Sequence, residues 1–305
     1  MARYLVTGGA GFLGRHLVSR LQGQGHAVLT ITRHPVGVDQ IKGDVLEPGL
    51  GLERDPGPVD GLWHLVAIVD LGQDKGGIVF RTNVEGTTQA IAFCLHRQIP
   101  LYYVSTAYTI GRNAYELSKV ECETLIHNST IPAVIYKPSI LIADVRTADP
   151  GGTRGFYQFV GVAARVHRRA EAMRRRIEGG LRLPVIEPVL RIRGEPEASI
   201  NLLPVDVVAD FMAAHRVLGQ TYYVTNPNPP TLAQLAEWVG EAILLQIRFL
   251  PDFKATPIEA ILGRLTRSFN PYLWGDNIPS DLPSGEPLVT RELIQRSATR
   301  AVLRL

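Results

Sequence analysis

"RYLVTGGAGFLGRHLVSRLQGQG", residues 3–25, decides how the rest of the chain is read. "RYLVT" predicts a short buried strand, and a glycine turn comes next and opens an amphipathic helix. Leu13, Leu17 and Leu21 recur at helical spacing, and Gly23 and Gly25 end the pattern. Gly8, Gly11 and Gly14 stand three residues apart, with Gly9-Ala10-Gly11 supplying a GxG reading as well. Glycine permits a tight strand-to-helix turn, close approach of backbone to a pyrophosphate and close packing of helix on strand. The helix N-terminus then offers free N–H groups and a partial positive charge to phosphates. Alone, GxGxxG is a weak signal that an ordinary turn would explain equally well. Its place after a first strand and before an amphipathic helix selects the dinucleotide reading.

Further along the chain, "HAVLTIT" (26–32), "QIKGDV" (40–45), "GLWHLVAIV" (61–69), "LYYVST" (101–106) and "AVIYKPSILI" (133–142) predict strands. "NVEGTTQAIAFCLHRQ" (83–98) and "AYELSKVECETLIHN" (114–128) predict helices between them. Strands alternating with helices imply right-handed crossovers and an α/β fold, a doubly wound parallel sheet of Rossmann type. The alternation weakens after about Ala143. An arginine-rich helix, the strand-like "INLLPV", the helix "DVVADFMAAHRVL" with Asp206 as its N-cap, and the strand "QTYYVT" come after it. "TLAQLAEWVGEAILL" predicts one more helix before a proline-rich end. The expected organisation is a nucleotide-binding domain over residues 1–143, with 198–225 returning to it. A smaller interleaved substrate lobe is expected over 144–197 and 226–305.

The chain has 305 residues, 45% of them apolar, enough to bury a large core. A formal charge of +3 does not point to nucleic acid or a membrane surface as partner. No run approaches eighteen apolar residues, so no membrane span is expected. Cys94 and Cys122 are in no metal or redox spacing, and the first strand begins within a few residues of Met1, leaving no room for a signal peptide. A cytoplasmic protein without a disulfide framework is therefore expected. None of the eight histidines stands at ligand spacing to carboxylates or cysteines, so no metal site is expected.

The end of the second strand bears on the cofactor. A carboxylate there would bind an adenosine 2′-hydroxyl, whereas an arginine suits a 2′-phosphate. The sequence reads "TITRH", with Arg33 in place and no acid, which favours NADPH. Arg15, directly after Gly14, is a second phosphate candidate or a solvated surface charge. Asp44 and Val45 of "KGDV" stand where an adenine ring could be held, or else begin a turn.

"GRNAYELSK", residues 111–119, carries the chemistry. Asn113 and Glu116 form a capping-box-like helix start, which places Tyr115 in the first turn. Lys119, four residues on, shares its helix face. A free phenol has a pKa of about 10 and is a poor acid at neutral pH. A neighbouring cation favours phenolate, and bringing the group near neutrality requires about 4 kcal/mol. Thr106 ends "LYYVST" at the carboxyl edge of the sheet, where its hydroxyl could hold a carbonyl oxygen while Tyr115 donates a proton. Tyr-x-x-x-Lys alone is common on exposed helix faces; its order after the glycine turn, "NVEG" and "VST" gives it weight.

In "TGGAGFLG", "HLVA", "NVEGT", "VSTA", "YELSK" and "YKPS" the chain resembles the extended branch of the short-chain dehydrogenase/reductase superfamily, over most of residues 3–225. "GDVLEPGLGLE", "VSTA" and "INLLPVDVVADF" look most like thioester reductase and fatty acyl reductase members, which also tend to carry an arginine where Arg33 stands. The resemblance implies a hydride-transfer site of Thr106, Tyr115 and Lys119, with Lys119 also on the nicotinamide ribose. It implies a cofactor-binding set of Gly8, Gly11, Phe12, Leu13, Gly14, Arg33, Asp44, Val45, Asn83, Tyr115, Lys119 and Pro138, with Asn83 bracing the site. Departures are Val66 for a usual alanine, Lys137 for arginine and Ala143 for glycine. Thr106 and Tyr115 lie only nine positions apart, shorter than the family's usual loop.

The expected activity is NADPH-dependent reduction of an apolar ketone, aldehyde or thioester, free or tethered to coenzyme A or a carrier protein. The alternatives are an NAD-dependent sugar-nucleotide epimerase or dehydratase of the same superfamily, and a non-catalytic NADPH-binding protein. Dehydratases of this branch carry an Asp-Glu pair where Ala107 and Tyr108 stand. "ARVHRRAEAMRRR", with Arg165, Arg168, Arg169, Arg174, Arg175 and Arg176, is either a dock for an acidic handle or a solvated helix face. The oligomeric state, a homodimer included, is left open.

Overall fold

In a computed structural model, residues 1–72, 74–152, 155–181 and 189–304 are described, with the side chains of 170 and 173–181 excepted. The chain divides into two compact units, Met1–Ser139 with Val205–Thr225 and Pro279–Pro283, and Ile140–Pro204 with Asn226–Ile278 and Ser284–Leu305.

The first unit runs β1 (Arg3–Thr7), α1 (Phe12–Gly23), β2 (Ala27–Thr32), β3 (Gln40–Lys42), β4 (Gly61–His64), α2 (Ile78–Arg97), β5 (Leu101–Val104), α3 (Ala114–Asn128) and β6 (Ala133–Pro138). The second contributes β7 (Ile140–Ile142), α4 (Phe156–Leu181), β8 (Val189–Arg193) and β9 (Leu202–Pro204). The chain then returns to the first unit as α5 (Val205–Ala214) and β10 (Thr221–Val224). It ends in the second with α6 (Leu232–Ile243), β11 (Gln246–Leu250), α7 (Pro257–Leu265) and α8 (Arg291–Leu303), apart from the Pro279–Pro283 segment.

The first unit is the doubly wound parallel sheet that the alternation implies. Seven strands pair in the order β10-β6-β5-β4-β1-β2-β3, every pair parallel. Strand side chains alternate between faces. Leu5, Leu62, Leu101 and Ile135 pack with Ala90, Phe93, Cys122 and Ile126 of α2 and α3. Tyr4, Trp63, Tyr102 and Tyr136 form an aromatic layer, with Trp63 stacked on Tyr102 at 4.4 Å between centroids and on Tyr136 at 5.6 Å. Leu17 and Leu21 are the buried stripe of α1, as their spacing predicts.

Two helix starts differ from the sequence expectation. α2 begins at Ile78, ahead of Asn83, because the Asp74 carboxylate accepts the N–H groups of Val79 (2.9 Å) and Phe80 (3.0 Å). Asp206 is not an N-cap: α5 starts at Val205 directly after β9, so Asp206 lies inside its first turn, where its charge suits the helix dipole.

The second unit holds two parallel pairs, β7 with β9 and β8 with β11. Its core joins Tyr157, Val160 and Ala163 of α4 to Leu235 and Val239 of α6 and Ile294 and Ala298 of α8. Thr231 and Gln234 cap α6 reciprocally. Among the described residues, no helix is long and apolar enough to cross a membrane.

The glycine turn is the tightest joint of the first unit. A Cβ on Gly14 would stand 2.1 Å from the Gly8 carbonyl oxygen and 2.7 Å from the Gly9 Cα, both backbone atoms that cannot step aside. Gly14→Ala is therefore expected to cost about 3 kcal/mol, read as a lower urea midpoint, even without any ligand.

Candidate active site

The site is built at the carboxyl edge of the seven-stranded sheet. Gly8 turns out of β1 with φ +73°, and its carbonyl accepts the Gly11 N–H at 2.9 Å. Gly9 passes close beside Thr30 of β2. Gly11 is the N-cap of α1 and supplies no side-chain cap. The N–H groups of Phe12, Leu13 and Gly14 in the first turn have no acceptor within the helix by its geometry. A donor cluster of that kind at a helix N-terminus suits a pyrophosphate.

The adenosine-side candidates are spread along the same edge. Arg33 is exposed just beyond β2. Arg15 lies with its guanidinium 5.4 Å from the Phe12 ring centroid. Asp44 stands after β3 in a turn, its Oδ1 accepting the Leu46 N–H at 3.0 Å, and Val45 is buried against Gly86 of α2. Pro138 ends β6, and its carbonyl accepts the Ala107 N–H at 2.9 Å.

Asn83 is the hub between α2, α3 and the chain leaving β4. Its Oδ1 accepts the Ile68 N–H (2.8 Å), while its Nδ2 donates to the Ile68 carbonyl (3.2 Å) and to Ser118 Oγ (2.9 Å). Ser118 Oγ in turn donates to the Tyr115 carbonyl at 2.7 Å. The residue that carries the phenol is thus tied, through α3, to the loop after β4.

Tyr115 is the second residue of α3, as the cap predicts: Asn113 Oδ1 accepts the Glu116 N–H at 3.0 Å. The Glu116 carboxylate is fully buried and reaches back to the N–H groups of Gly111 (2.9 Å) and Arg112 (3.0 Å) and to the Arg112 guanidinium (2.9 Å). These bonds close the short link between Thr106 and α3. The buried Thr106 hydroxyl stands beside the Tyr115 phenol. Burial pushes the Tyr115 phenol up to about 12; the Thr106 hydroxyl works against this, and the Glu116 carboxylate adds to it.

Lys119 is brought to the same place but not onto the phenol. Its Nζ donates to Val104 O at 2.7 Å and Tyr103 Oη at 3.2 Å, and it lies 4.8 Å from the Tyr103 ring centroid. Loss of water lowers its pKa to about 8. The lowering of the tyrosine by an adjacent ammonium, expected from the i, i+4 spacing, is not a property of the protein alone, because desolvation dominates.

Residues outside the expected hydride-transfer and cofactor-binding sets complete the site. Thr7, His64 and Tyr103 are register partners on β1, β4 and β5. Thr7 Oγ1 and His64 Nδ1 are 2.9 Å apart, and His64 is pushed down to about 3 by burial and then by Lys119, so its ring is neutral. Lys137 of β6 donates to Glu123 Oε2 of α3 at 2.8 Å and to Thr109 Oγ1 at 3.4 Å, and Glu123 also accepts from Ser105 Oγ. This largely buried pair thus holds the residues on either side of Thr106. The substitution of Lys137 for the usual arginine is legible in the sequence, but its partner is not. Arg165, Arg168 and Arg169 are on α4; the side chains of Arg174, Arg175 and Arg176 lie outside the described residues. Among the described residues, no group of histidines, cysteines and carboxylates could hold a metal ion.

Residues 4–131 match the model of the NAD dependent epimerase/dehydratase family. That match covers less than half of the chain; with the sheet order, it agrees with the resemblance to the extended short-chain dehydrogenase/reductase superfamily read from the motifs. The ADP-L-glycero-D-manno-heptose-6-epimerase of Alkalilimnicola ehrlichii is 30% identical over 122 residues, 36% of this chain and 38% of that protein. The 2-alkyl-3-oxoalkanoate reductase of Stenotrophomonas maltophilia is 32% identical over 151 residues, 47% of this chain and 45% of that protein. The matched stretch thus spans less than half the length of either relative. The terminal R domain of the myxalamid PKS-NRPS biosynthetic pathway has the same fold, with a TM-score of 0.73 at 19% identity, covering 100% of this chain and 91% of that one.

Lys137→Met is expected to leave the half-buried Glu123 carboxylate without its cation and to cost about 2 kcal/mol in urea unfolding. Replacing both residues by apolar ones of similar size should recover most of that loss.

Proposed function

We propose that the protein is an NADPH-dependent oxidoreductase that reduces a carbonyl group, a ketone, aldehyde or thioester, with Tyr115 as proton donor. The observation that carries the reading is the Thr106 hydroxyl placed beside the Tyr115 phenol, with Lys119 buried one helical turn away at the carboxyl edge of the sheet. The glycine turn and the first turn of α1 would hold the pyrophosphate, and Arg33, exposed beyond β2, would meet a 2′-phosphate. NADPH bound there supplies the hydride.

The chain's own residues then have separable tasks. Thr106 Oγ1 orients the carbonyl oxygen beside the phenol. Tyr115, whose proton is held firmly by a pKa near 12, releases it only as the oxygen becomes an alkoxide, a much stronger base. Lys119 keeps a positive charge below about pH 8 and loses it above, so the field favouring proton release is present at neutral pH and fades in alkali. Asn83 holds α3 in register with the loop after β4. The substrate class, apolar and free or carried on coenzyme A or a carrier protein, is supported by the likeness to an oxoalkanoate reductase and to a terminal R domain.

A second reading, sugar-nucleotide epimerisation, is favoured by the family match and by the epimerase relative. Ala107 and Tyr108 in place of an acid pair speak against a dehydratase, and Arg33 speaks against a resident NAD. Protein that copurifies with NAD and turns over a nucleotide sugar would establish this second reading over the first.

Tyr115→Phe is expected to lower kcat for carbonyl reduction about 10³-fold with the NADPH Kd nearly unchanged, checked by stopped-flow oxidation of NADPH and by cofactor fluorescence titration. Retained turnover would remove Tyr115 from the mechanism. Arg33→Ala should weaken NADPH about tenfold or more and leave NADH unaffected. Equal losses for both would end the 2′-phosphate assignment.

A further inference from the structure

We propose that Tyr103 is the positioning residue for Lys119: its hydroxyl accepts from the ammonium and fixes that charge against β5 before any ligand arrives. The inference rests on the reading of Thr106, Tyr115 and Lys119 as the reacting set. Tyr103 is fully buried, in the middle of the sheet, stacked on His64 with 6.1 Å between centroids. Among the described residues, Tyr103 Oη and Val104 O are the hydrogen-bond acceptors of Lys119, leaving the third N–H of the ammonium for a ligand.

The direction of the bonds is set by counting hydrogens. An ammonium only donates, so Tyr103 Oη is the acceptor. The Thr87 hydroxyl and the Cys122 thiol lie near the Tyr103 oxygen. Thr87 Oγ1 has its one hydrogen committed to the Asn83 carbonyl at 2.8 Å, so it has none to give Tyr103. Cys122 Sγ donates to the same carbonyl at 3.3 Å. Both neighbours thus direct their hydrogens at one backbone carbonyl and leave the Tyr103 lone pairs to the ammonium. The Tyr103 oxygen is a fixed support that aims a lone pair at Lys119.

Among the described residues, the titratable groups near Lys119 are His64 of β4, which is neutral, Tyr103 of β5, and Cys122 and Glu123 of α3, with Tyr115 one turn back on the same helix. Of these, Glu123 is held by Lys137. The Tyr103 oxygen is thus, among the described residues, the one side-chain acceptor within hydrogen-bond reach that keeps the ammonium charged in a dry layer.

Tyr103→Phe keeps the ring and removes only the oxygen. The chain has five lysines, so ¹³Cε-lysine NMR, with Lys119→Met for assignment, tracks the Lys119 titration directly and needs no activity. The Lys119 midpoint is expected to move to lower pH by about one unit, with Lys137 unmoved. An unmoved Lys119 midpoint overturns the proposal. If the variant does not fold, the wild-type protein answers instead: a Lys119 ¹⁵Nζ–H signal with slowed exchange supports the bond, and one averaged with the surface lysines overturns it. With a carbonyl substrate, the alkaline limb of the kcat profile should move to lower pH by the same amount while KM stays constant. Wild-type protein that reduces no carbonyl compound, yet shows the NMR shift, counts against the reductase reading and still supports the Tyr103–Lys119 pairing.

Discussion

Asn83 occupies the position on which the site depends, because its side-chain amide and its carbonyl are both engaged in a buried layer. The amide meets the Ile68 peptide and Ser118, while the carbonyl receives Thr87 and Cys122. An amide can serve there because it donates and accepts at once, and a carboxylate could not. Three pieces of chain that are distant in sequence are fixed by these few bonds: the exit of β4, the first half of α2 and the face of α3 that bears Tyr115 and Lys119. Each bond is modest alone, but leaving any of these groups unmet in a dry interior costs more than forming the bond gains.

The same dryness sets the chemistry. Desolvation acts in opposite senses on the two ionisable groups of α3, raising the phenol and lowering the ammonium. A tyrosine that holds its proton and a lysine that is poised near neutrality are a usable pair for giving a proton to a nascent alkoxide. They are a poor pair for stripping one from an alcohol in the protein alone. The spacing of Tyr115 and Lys119 suggests direct contact, but the lysine is turned to β5 because Val104 and Tyr103 offer it oxygen atoms there.

Much of the first unit is legible in the sequence because it is local. The glycine turn, the leucine stripe of α1, the order of strands and helices, and the Asn113 cap each lie within one or two turns of chain. What escapes is long-range. Nothing near Glu123 announces Lys137 and Ser105, and nothing near Tyr103 announces Thr87 and Lys119. The early start of α2 does have a local signal, Asp74 ahead of Val79 and Phe80, but glycines between them obscure it. The Asp206 cap fails for another reason: β9 leads straight into α5 at Val205, which puts Asp206 one residue past the helix start.

The Pro279–Pro283 segment has a consequence beyond its few residues. It runs beside β10, an outermost strand of the sheet, where Asp281 exchanges bonds with Tyr223 through its N–H (to the carbonyl, 2.9 Å) and its carboxylate (from the N–H, 2.7 Å). Thr225 and Pro279 are joined in the same way by hydroxyl and carbonyl. A bare outer strand is a template on which another chain can polymerise. Here the template is sealed by a strap whose two prolines lack the donors needed to extend the ladder, so the molecule guards itself against edge-to-edge aggregation at that border.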